Sequence, residues 1–175
     1  MNKLFYFLLL LFFVSCKNEK TQQDTVSNPK IYAEPLINVN KKLIEKESRD
    51  IDNWLKRHQV EAKSTGTGLR IAILKKGNGN LAKLGQLATI NYKLSLLDGT
   101  VCYDSQKSGP ETFLIGQDHV ESGLHEGIQN MHVGDKALLL MPPHLAHGLL
   151  GDDKKIPPLS CIIYEVELLQ IKEVQ

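Results

Sequence analysis

Apolar residues change their spacing twice along this chain, and the changes separate three kinds of segment. Residues 4–14 form an unbroken apolar run directly after Lys3. Between residues 36 and 58 the apolar positions recur at helical spacing with charged residues between them, which predicts an amphipathic helix. These positions are Leu36, Val39, Leu43, Ile44, Ile51, Trp54 and Leu55. From Gly66 onward, short stretches alternate apolar and polar residues, as strands do.

The region after Gly66 predicts an α+β domain. Residues 87–97 place Ala88, Ile90, Tyr92, Leu94 and Leu96 on one face by alternation, and Asp98-Gly99 directly after them is a strong hairpin signal. Residues 120–131 have the spacing of a short helix, and strand-like stretches precede and follow it. The order of these elements predicts an antiparallel sheet with one helix across it.

The apolar run at the start predicts an export signal. It is shorter than the roughly 20 residues that a membrane-spanning helix needs, but it suits the core of a signal peptide. It ends in Phe13-Val14-Ser15-Cys16, which resembles the lipobox of bacterial lipoproteins. We therefore expect a signal peptide over residues 1–15 and fatty acids such as palmitate on Cys16. The alternatives are an ordinary secretory signal with an incidental cysteine, or an uncleaved anchor.

The predicted signal peptide determines how we divide the rest of the chain and where we expect the protein in the cell. Residues 16–34 are polar and carry no apolar periodicity, so we expect a flexible tether with a reach of about 25 Å. Residues 35–65 hold the helix and a linker, and residues 66–175 the domain. The helix either packs on that domain or binds a partner or second copy. The protein is expected in the cell envelope, lipid-anchored to a bacterial membrane at its periplasmic face or at the cell surface.

Charge and cysteine content add few constraints. The chain has 23% charged residues and a formal net charge of +1, so its charge does not point to a nucleic-acid partner. With Cys16 lipidated, Cys102 and Cys161 remain, as free thiols or as a disulfide in an oxidising compartment. His144 and His147 lie three positions apart, but no zinc-binding motif accompanies them. We expect neither a metal nor a cofactor.

Ordered blocks between about Gly68 and Lys172 resemble the FKBP-type peptidyl-prolyl cis/trans isomerases. The blocks are Asn91-Tyr92, Leu97-Asp98-Gly99-Thr100, Tyr103-Asp104-Ser105, Phe113-Leu114-Ile115-Gly116, Val120-Glu121-Ser122-Gly123-Leu124-His125-Glu126-Gly127, Met131-His132-Val133-Gly134-Asp135-Lys136-Ala137, His144-Leu145-Ala146-His147-Gly148, Ile156-Pro157-Pro158 and Tyr164-Glu165-Val166-Glu167-Leu168-Leu169. The resemblance implies a five-stranded antiparallel half-barrel sheet wrapped on one short helix, here preceded by the amphipathic helix. Lipid-anchored members associated with gliding motility look similarly built.

The resemblance also implies a site. Carried over by position, the catalytic residues are Tyr103, Asp104 and His147, and the substrate-binding residues are Tyr92, Val120, Glu121, Leu124, Ile156 and Tyr164. Asp104 would organise the pocket through neighbouring tyrosine hydroxyls, and Leu124 would form its floor. Tyr92 and Asp104 could instead be plain core and turn-cap residues.

Four positions depart from the family pattern. Leu124 stands where tryptophan is usual, His147 where a tyrosine is, Glu121 where an aliphatic residue is and Glu111 near the place of an aromatic. We therefore expect an intact fold, weaker catalysis and poor binding of macrolide inhibitors.

The implied function is acceleration of X-Pro bond rotation in exported or envelope proteins, with proline-containing polypeptides as partners. Rotation about a peptide bond meets a barrier of about 18–20 kcal/mol. A water-poor apolar pocket lowers it by binding the twisted amide better than the planar one. The alternative is a binding or chaperone module of the same fold with little turnover.

Overall fold

The computed structural model describes residues 29–174, with side chains from residue 36 onward. The predicted signal peptide and Cys16 therefore lie outside the described residues. The elements are α1 (Pro29–His58), β1 (Lys63–Ser64), β2 (Arg70–Lys75), β3 (Leu87–Leu96), β4 (Val101–Asp104), α2 (Ser105–Ser108), β5 (Glu111–Leu114), α3 (Ser122–Ile128), β6 (Lys136–Met141) and β7 (Ile162–Lys172). The chain divides into two units between residues 38 and 39, and the site described below belongs to the second.

Helix α1 begins earlier than its apolar pattern predicts. The expected start was residue 36, but the helix begins at Pro29, so residues 29–34 of the predicted tether are helical. Pro29 occupies the first helical position, where a missing N–H has no cost and the fixed φ of proline suits the helix. The apolar residues that follow, Ile31, Tyr32 and Ala33, are consecutive and not at helical spacing, so the pattern does not predict a helix there.

The sheet is antiparallel throughout, and its strand count differs from the expected five. Within residues 29–174, seven strands lie in the order β1-β2-β6-β7-β3-β4, with β5 also paired to β3. Two features of the sheet account for the two strands beyond the expected five. β1 is a two-residue strand at the edge, and β4 and β5 share one side of β3, separated by the short helix α2. The half-barrel curvature stays a prediction.

Helix α3 packs its glycines directly against β6. A Cβ atom added to Gly127 would lie 2.4 Å from Cδ1 of Leu139, and one added to Gly123 would lie 2.7 Å from Sδ of Met141. Such distances are closer than carbon and sulfur atoms approach, so a larger residue at either position would force these core side chains to shift. Leu124, Ile128, Leu139 and Met141 are all fully buried in this core.

The second half of α1 packs on the outside of the sheet, which is the first of the two predicted alternatives. Ile51 and Leu55 are buried in a small cluster with Leu140, Cys161 and Ile163. Upstream, Val39 and Ile44 stay 62% and 54% exposed. The apolar residues of the helix are therefore buried only near its C-terminal end.

A buried arginine joins this helix to the domain. Arg70 donates to the Asp52 carboxylate at 3.0 Å, to Oγ of Ser48 at 2.7 Å and to the carbonyl of Gly68 at 2.7 Å. The planar fork of donors suits several fixed acceptors at once, so it holds the helix at one angle to β2.

Three further observations bear on the predicted site types. No helix within residues 29–174 is both long and apolar enough to cross a bilayer. Across the same residues, no group of three or more His, Cys, Asp or Glu side chains is placed to hold a metal ion. Cys102 and Cys161 are buried free thiols, and burial raises the pKa of Cys161 to about 12.

Candidate active site

A cavity of about 470 Å³ opens between the β3–β7 side of the sheet and two loops, one before α3 and one after β6. The strands contribute alternate residues that point to one face, and the loops close over them. The lining residues are Tyr92, Leu94, Tyr103, Glu111, His119, Val120, Glu121, Ala146, His147, Asp152 and Tyr164. The volume suits a proline ring with parts of its neighbouring residues.

Six of the nine predicted site residues line this cavity. They are Tyr92, Tyr103, Val120, Glu121, His147 and Tyr164. Leu124 and Ile156 lie in the core instead, 0% and 3% exposed, and do not reach the cavity wall. Leu124, which was expected to form the floor of the cavity, is therefore covered by other residues. Its helix lies so close to β6 that the leucine side chain ends among core residues.

Asp104 occupies the place that its turn-cap interpretation predicted. Its carboxylate accepts a hydrogen bond from the backbone N–H of Gln106 at 2.8 Å and caps the N-terminus of α2. Aspartate is among the preferred residues at such a position. The tyrosine hydroxyls expected to bind Asp104 go elsewhere: Tyr103 donates to Asp152 and Tyr164 donates to Glu121. Asp104 therefore does not organise the tyrosines in this structure.

Asp152, which lies in the loop after β6, binds a cavity tyrosine in place of Asp104. Besides the Tyr103 hydroxyl, its carboxylate accepts the backbone N–H groups of Lys154, Lys155 and Ile156 at 3.0, 2.8 and 2.7 Å. Burial alone would raise the pKa of Asp152, but these hydrogen bonds outweigh it and hold the pKa well below the usual range. The same contact raises the pKa of Tyr103 to about 12. One carboxylate thus fixes the loop and the tyrosine together.

A second polar group lies deeper in the cavity. Glu121 is 11% exposed, and both of its carboxylate oxygens accept the hydroxyl of Tyr164 at 3.0 Å. Nε2 of His147 lies 2.8 Å from Oε1 of the same carboxylate, although the ring N–H direction is poorly aligned with it. Burial, with the carboxylate beside it, raises the pKa of Tyr164 far above its usual range. The phenol therefore keeps its proton and serves as a donor.

Aromatic rings and one further carboxylate complete the wall. The rings of Tyr92 and Tyr164 lie 5.4 Å apart at a tilt of 46°, a favourable arrangement for aromatic pairs. Burial, followed by the nearby Glu121, raises the pKa of Glu111. Burial and the Glu111 carboxylate likewise raise the pKa of Tyr92. The cavity combines aromatic surface with desolvated acidic groups.

Sequence reasoning missed part of this site. Leu94, His119, Ala146 and Asp152 also line the cavity. Leu94 follows from the alternation that places Tyr92, so its signal was present. Asp152 has no local signal, because its role depends on a tyrosine 49 positions earlier.

Comparisons with known proteins show the family of this chain. The family described as FKBP-type peptidyl-prolyl cis-trans isomerase matches residues 79–169. FK506-binding protein 1 of Dictyostelium discoideum is 36% identical over 106 residues, covering 60% of this chain and 99% of that protein. FkpA, an FKBP-type peptidyl-prolyl cis-trans isomerase of Escherichia coli strain K12, is 36% identical over 110 residues, covering 63% of this chain but 40% of FkpA.

Solved structures show the same relationship. The crystal structure of FkpA from Escherichia coli matches with a TM-score of 0.66 and 30% identity, covering 83% of this chain and 68% of that one. The crystal structure of AtFKBP13 matches with a TM-score of 0.60 and 31% identity, covering 64% of this chain and 99% of that one. With the family match spanning more than half of its residues, this chain belongs to the FKBP-type peptidyl-prolyl cis-trans isomerases, enzymes that catalyse rotation about X-Pro bonds.

Proposed function

We propose that this isomerase accelerates X-Pro bond rotation in exported or envelope polypeptides, and that the cavity between Tyr92, Tyr103 and Tyr164 is where it does so. The observation that carries the proposal is the tilted Tyr92–Tyr164 pair, whose two side chains line one cavity large enough for a proline. These rings supply apolar surface at the point where a substrate proline would lose its water.

The chemistry needs no covalent step. X-Pro bonds populate both isomers but exchange over tens to hundreds of seconds, because amide resonance must be broken on the way. A twisted amide has less charge separation than a planar one, so a wall of aromatic rings binds it relatively better. A donor that holds the substrate carbonyl adds to this preference, and we assign this part to His147, which lines the cavity.

The test is a proline-limited refolding reaction with the full chain purified in detergent micelles. We expect the wild type to accelerate the slow phase. Tyr92→Ala should lower kcat/KM about tenfold, equivalent to about 1.4 kcal/mol of transition-state binding. Lys172→Ala, at the far end of β7, serves as a matched surface control. Equal rates for wild type and Tyr92→Ala, with both proteins folded, would place catalysis elsewhere.

A second candidate function is a binding or chaperone module with little turnover. The observation that favours it is the acidic character of the wall, where Glu111, Glu121 and Asp152 all line the cavity. Desolvated carboxylates bind a planar, polar amide at least as well as a twisted one, which weakens catalysis without preventing binding. Saturable binding of an unfolded proline-containing protein, with no change in its refolding rate, would support this second function.

We also propose that the protein is a lipoprotein of the envelope, of the lipid-anchored type similar to gliding-motility-associated members. Ser15-Cys16 at the end of the apolar run supports the proposal, because a small residue before cysteine suits the lipoprotein peptidase. Each buried CH₂ of an acyl chain contributes about 0.8 kcal/mol, so a multiply acylated cysteine anchors stably. The isomerase domain would then act on clients close to the membrane.

Metabolic labelling with a radioactive fatty acid tests the anchor. Wild-type protein expressed in a bacterial host should take up label, and Cys16→Ser should not. Ser15→Ala keeps a small residue before the cysteine and should retain label, which makes it the matched control. Label in Cys16→Ser would contradict the proposal, and so would an unlabelled wild type.

A further inference from the structure

A groove of about 390 Å³ lies between helix α1, the end of β3 and the segment that leads into β7, and it shares no lining residue with the active-site cavity. Four leucines line it: Leu43 on α1, Leu96 and Leu97 at the end of β3, and Leu159 before β7. Cys161 adds to this wall, because burial raises the pKa of its thiol to about 12 and keeps it neutral. The groove therefore offers apolar surface away from the site already described.

One carboxylate that lines this groove is buried and, among the described residues, has neither a hydrogen-bond nor an ion-pair partner. Glu47 is 6% exposed. The neighbouring Lys46 binds Oδ2 of Asp50 at 2.7 Å instead, and Nε2 of the nearby His144 lies 2.9 Å from the carbonyl oxygen of Thr67. Burial raises the pKa of Glu47, so folding disfavours its ionised form. A carboxylate that leaves water without gaining a partner is costly, and the fold itself provides no compensation for it.

The rim of the groove carries an apolar side chain on a strained backbone. Leu159 has a φ of +56°, in the left-handed region that leucine rarely adopts. Its N–H donates to the carbonyl of Gly148 at 3.1 Å, which helps to hold this conformation. The side chain nevertheless stays 43% exposed, so burial does little to offset the strain. Strained residues of this kind cluster where proteins hold ligands.

The apolar surface continues beyond the groove along α1. Val39 precedes Leu43 by about one helical turn, so the two lie on the same face of the helix. Val39 is 62% exposed, and Ile44, directly after Leu43, is 54% exposed. This surface extends further than a small molecule in the groove would cover, which favours a polypeptide as the occupant.

The charges of the groove favour a cation. Glu47, Asp50 and Asp98 line it, against the single lysine Lys46. Across the part of the chain that the structure describes, no group of three or more such side chains is placed to hold a metal ion. An organic cation with an apolar stem suits both the carboxylates and the leucines.

We propose that this groove binds a basic side chain, lysine or arginine, of a partner polypeptide, with the methylene stem against the leucines and the charged end on the carboxylate of Glu47. Long basic side chains bury their stems on apolar surface in this way. A hydrogen bond between two ionised groups is about twice as strong as a neutral one, so the ligand supplies the partner that Glu47 lacks. The volume suits one such side chain with parts of its neighbours. This site is separate from the active-site cavity and does not depend on the proposed function.

The binding test uses the full chain in nanodiscs of phosphatidylcholine, a lipid without net charge, so that the bilayer does not attract a cationic peptide. The probes are dansyl-labelled Ala-Leu-Lys-Leu-Ala-amide and the same peptide with arginine or norleucine in place of lysine. Fluorescence anisotropy at low salt should show at least one of the two basic peptides binding about tenfold more tightly than the norleucine peptide.

Variants locate the binding. Glu47→Gln should remove the preference for a basic peptide, whereas Glu45→Gln, at an exposed position of the same helix, should keep it. Leu159→Ser should weaken binding of all three peptides, since each contacts the apolar rim. Equal binding of the basic and norleucine peptides, no saturable binding of any peptide, or an unchanged preference in Glu47→Gln would overturn the proposal. Binding of n-hexylammonium as tight as that of the peptides would also overturn it, because the groove would then be a site for a free amine.

A second measurement reports the cost of the unpaired carboxylate. Because folding disfavours ionised Glu47, Glu47→Gln should melt at a higher temperature than the wild type at about pH 8, and Glu45→Gln should melt with the wild type. The saturating basic peptide should raise the melting temperature of the wild type by a few degrees and that of Glu47→Gln much less. A Glu47→Gln protein that melts below the wild type would show that the chain itself supplies a partner for this carboxylate, and that result overturns the proposal.

Discussion

The hydroxyl of Tyr103 on β4 donates a hydrogen bond to the carboxylate of Asp152, which lies in the loop between β6 and β7. Three backbone N–H groups of the same loop bind that carboxylate as well. The wall of the cavity and the loop that closes it are therefore held by one side chain. Gly151 just before it has a φ of +75°, and an added Cβ would lie 2.1 Å from the carbonyl oxygen of Ile156, so the turn also requires glycine there.

Removing this carboxylate should loosen the loop. In Asp152→Ala, the Tyr103 hydroxyl and three backbone N–H groups lose their acceptor, and hydrogen bonds to a charged group contribute more than neutral ones. We expect kcat/KM in a peptide assay to fall about tenfold, with a lower melting temperature. Asp153→Asn is the control, because Asp153 is exposed and asparagine tolerates its φ of +57°. An Asp152→Ala protein with wild-type activity would show that the loop is held by other contacts.

Acid should weaken the same contact. The pKa of Asp152 is lower in the folded protein than its ordinary value of 3.8, so the carboxylate stabilises the fold above that value. This stabilisation is lost as the pH falls from 3.8 through the folded-state pKa. Urea unfolding should therefore show wild type more stable than Asp152→Asn at pH 6, with the two converging in strong acid. A difference that stays constant with pH would contradict the assignment.

The strands and the residues on their faces were predictable, because alternation is a local property of the sequence. Tyr92 and Tyr164 lie where a period of two and the family motif place them. The role of Asp152 was not predictable, since it depends on the fold bringing β4 under a distant loop. Leu124 was predicted to reach the cavity because the family position does. The close packing of Gly123 and Gly127 on β6, which buries it, is visible only in three dimensions.

Leu124→Trp is expected to destabilise the protein. The side chain of Leu124 is 0% exposed in the core, so a larger ring has no cavity to enter. Overpacking of this kind costs about 1–3 kcal/mol, measurable by urea unfolding. Leu124→Met, which conserves volume, should cost less. A stable Leu124→Trp protein with faster isomerisation would instead show that this position reaches the substrate, as the family resemblance implies.

Glu111→Phe should improve both the fold and the binding of apolar ligands. The raised pKa of Glu111 means that its ionised form is unfavourable in the folded state. The cost is absent below the ordinary value of 4.5, where the carboxyl is neutral in both states, and it grows as the pH rises. Glu111→Phe should therefore melt higher than wild type at pH 7, and by a smaller margin near pH 4. A melting-temperature difference between Glu111→Phe and wild type that is larger near pH 4 than at pH 7 would contradict this explanation.

The residue before the substrate proline should affect the rate through charge. Glu111, Glu121 and Asp152 line the cavity, and no lysine or arginine is among the described lining residues. We expect blocked peptides with Lys-Pro to have kcat/KM about threefold or more above Glu-Pro peptides at low salt, narrowing as salt screens the interaction. The double variant Glu111→Gln with Asp152→Asn should reduce the preference. Equal rates for both peptides at low salt would show that the carboxylates are neutralised within the cavity.

The position of β7 has a consequence for how the protein is made. Strand β7 lies inside the sheet, paired along its length with β3 on one side and over residues 162–167 with β6 on the other. A growing or translocating chain emerges from its N-terminal end, so the sheet stays in two incomplete parts until residues 162–172 arrive. The sheet therefore closes only once β7 has been made, and a chain without residues 162–172 would present two open strand edges, those of β3 and β6, to its surroundings.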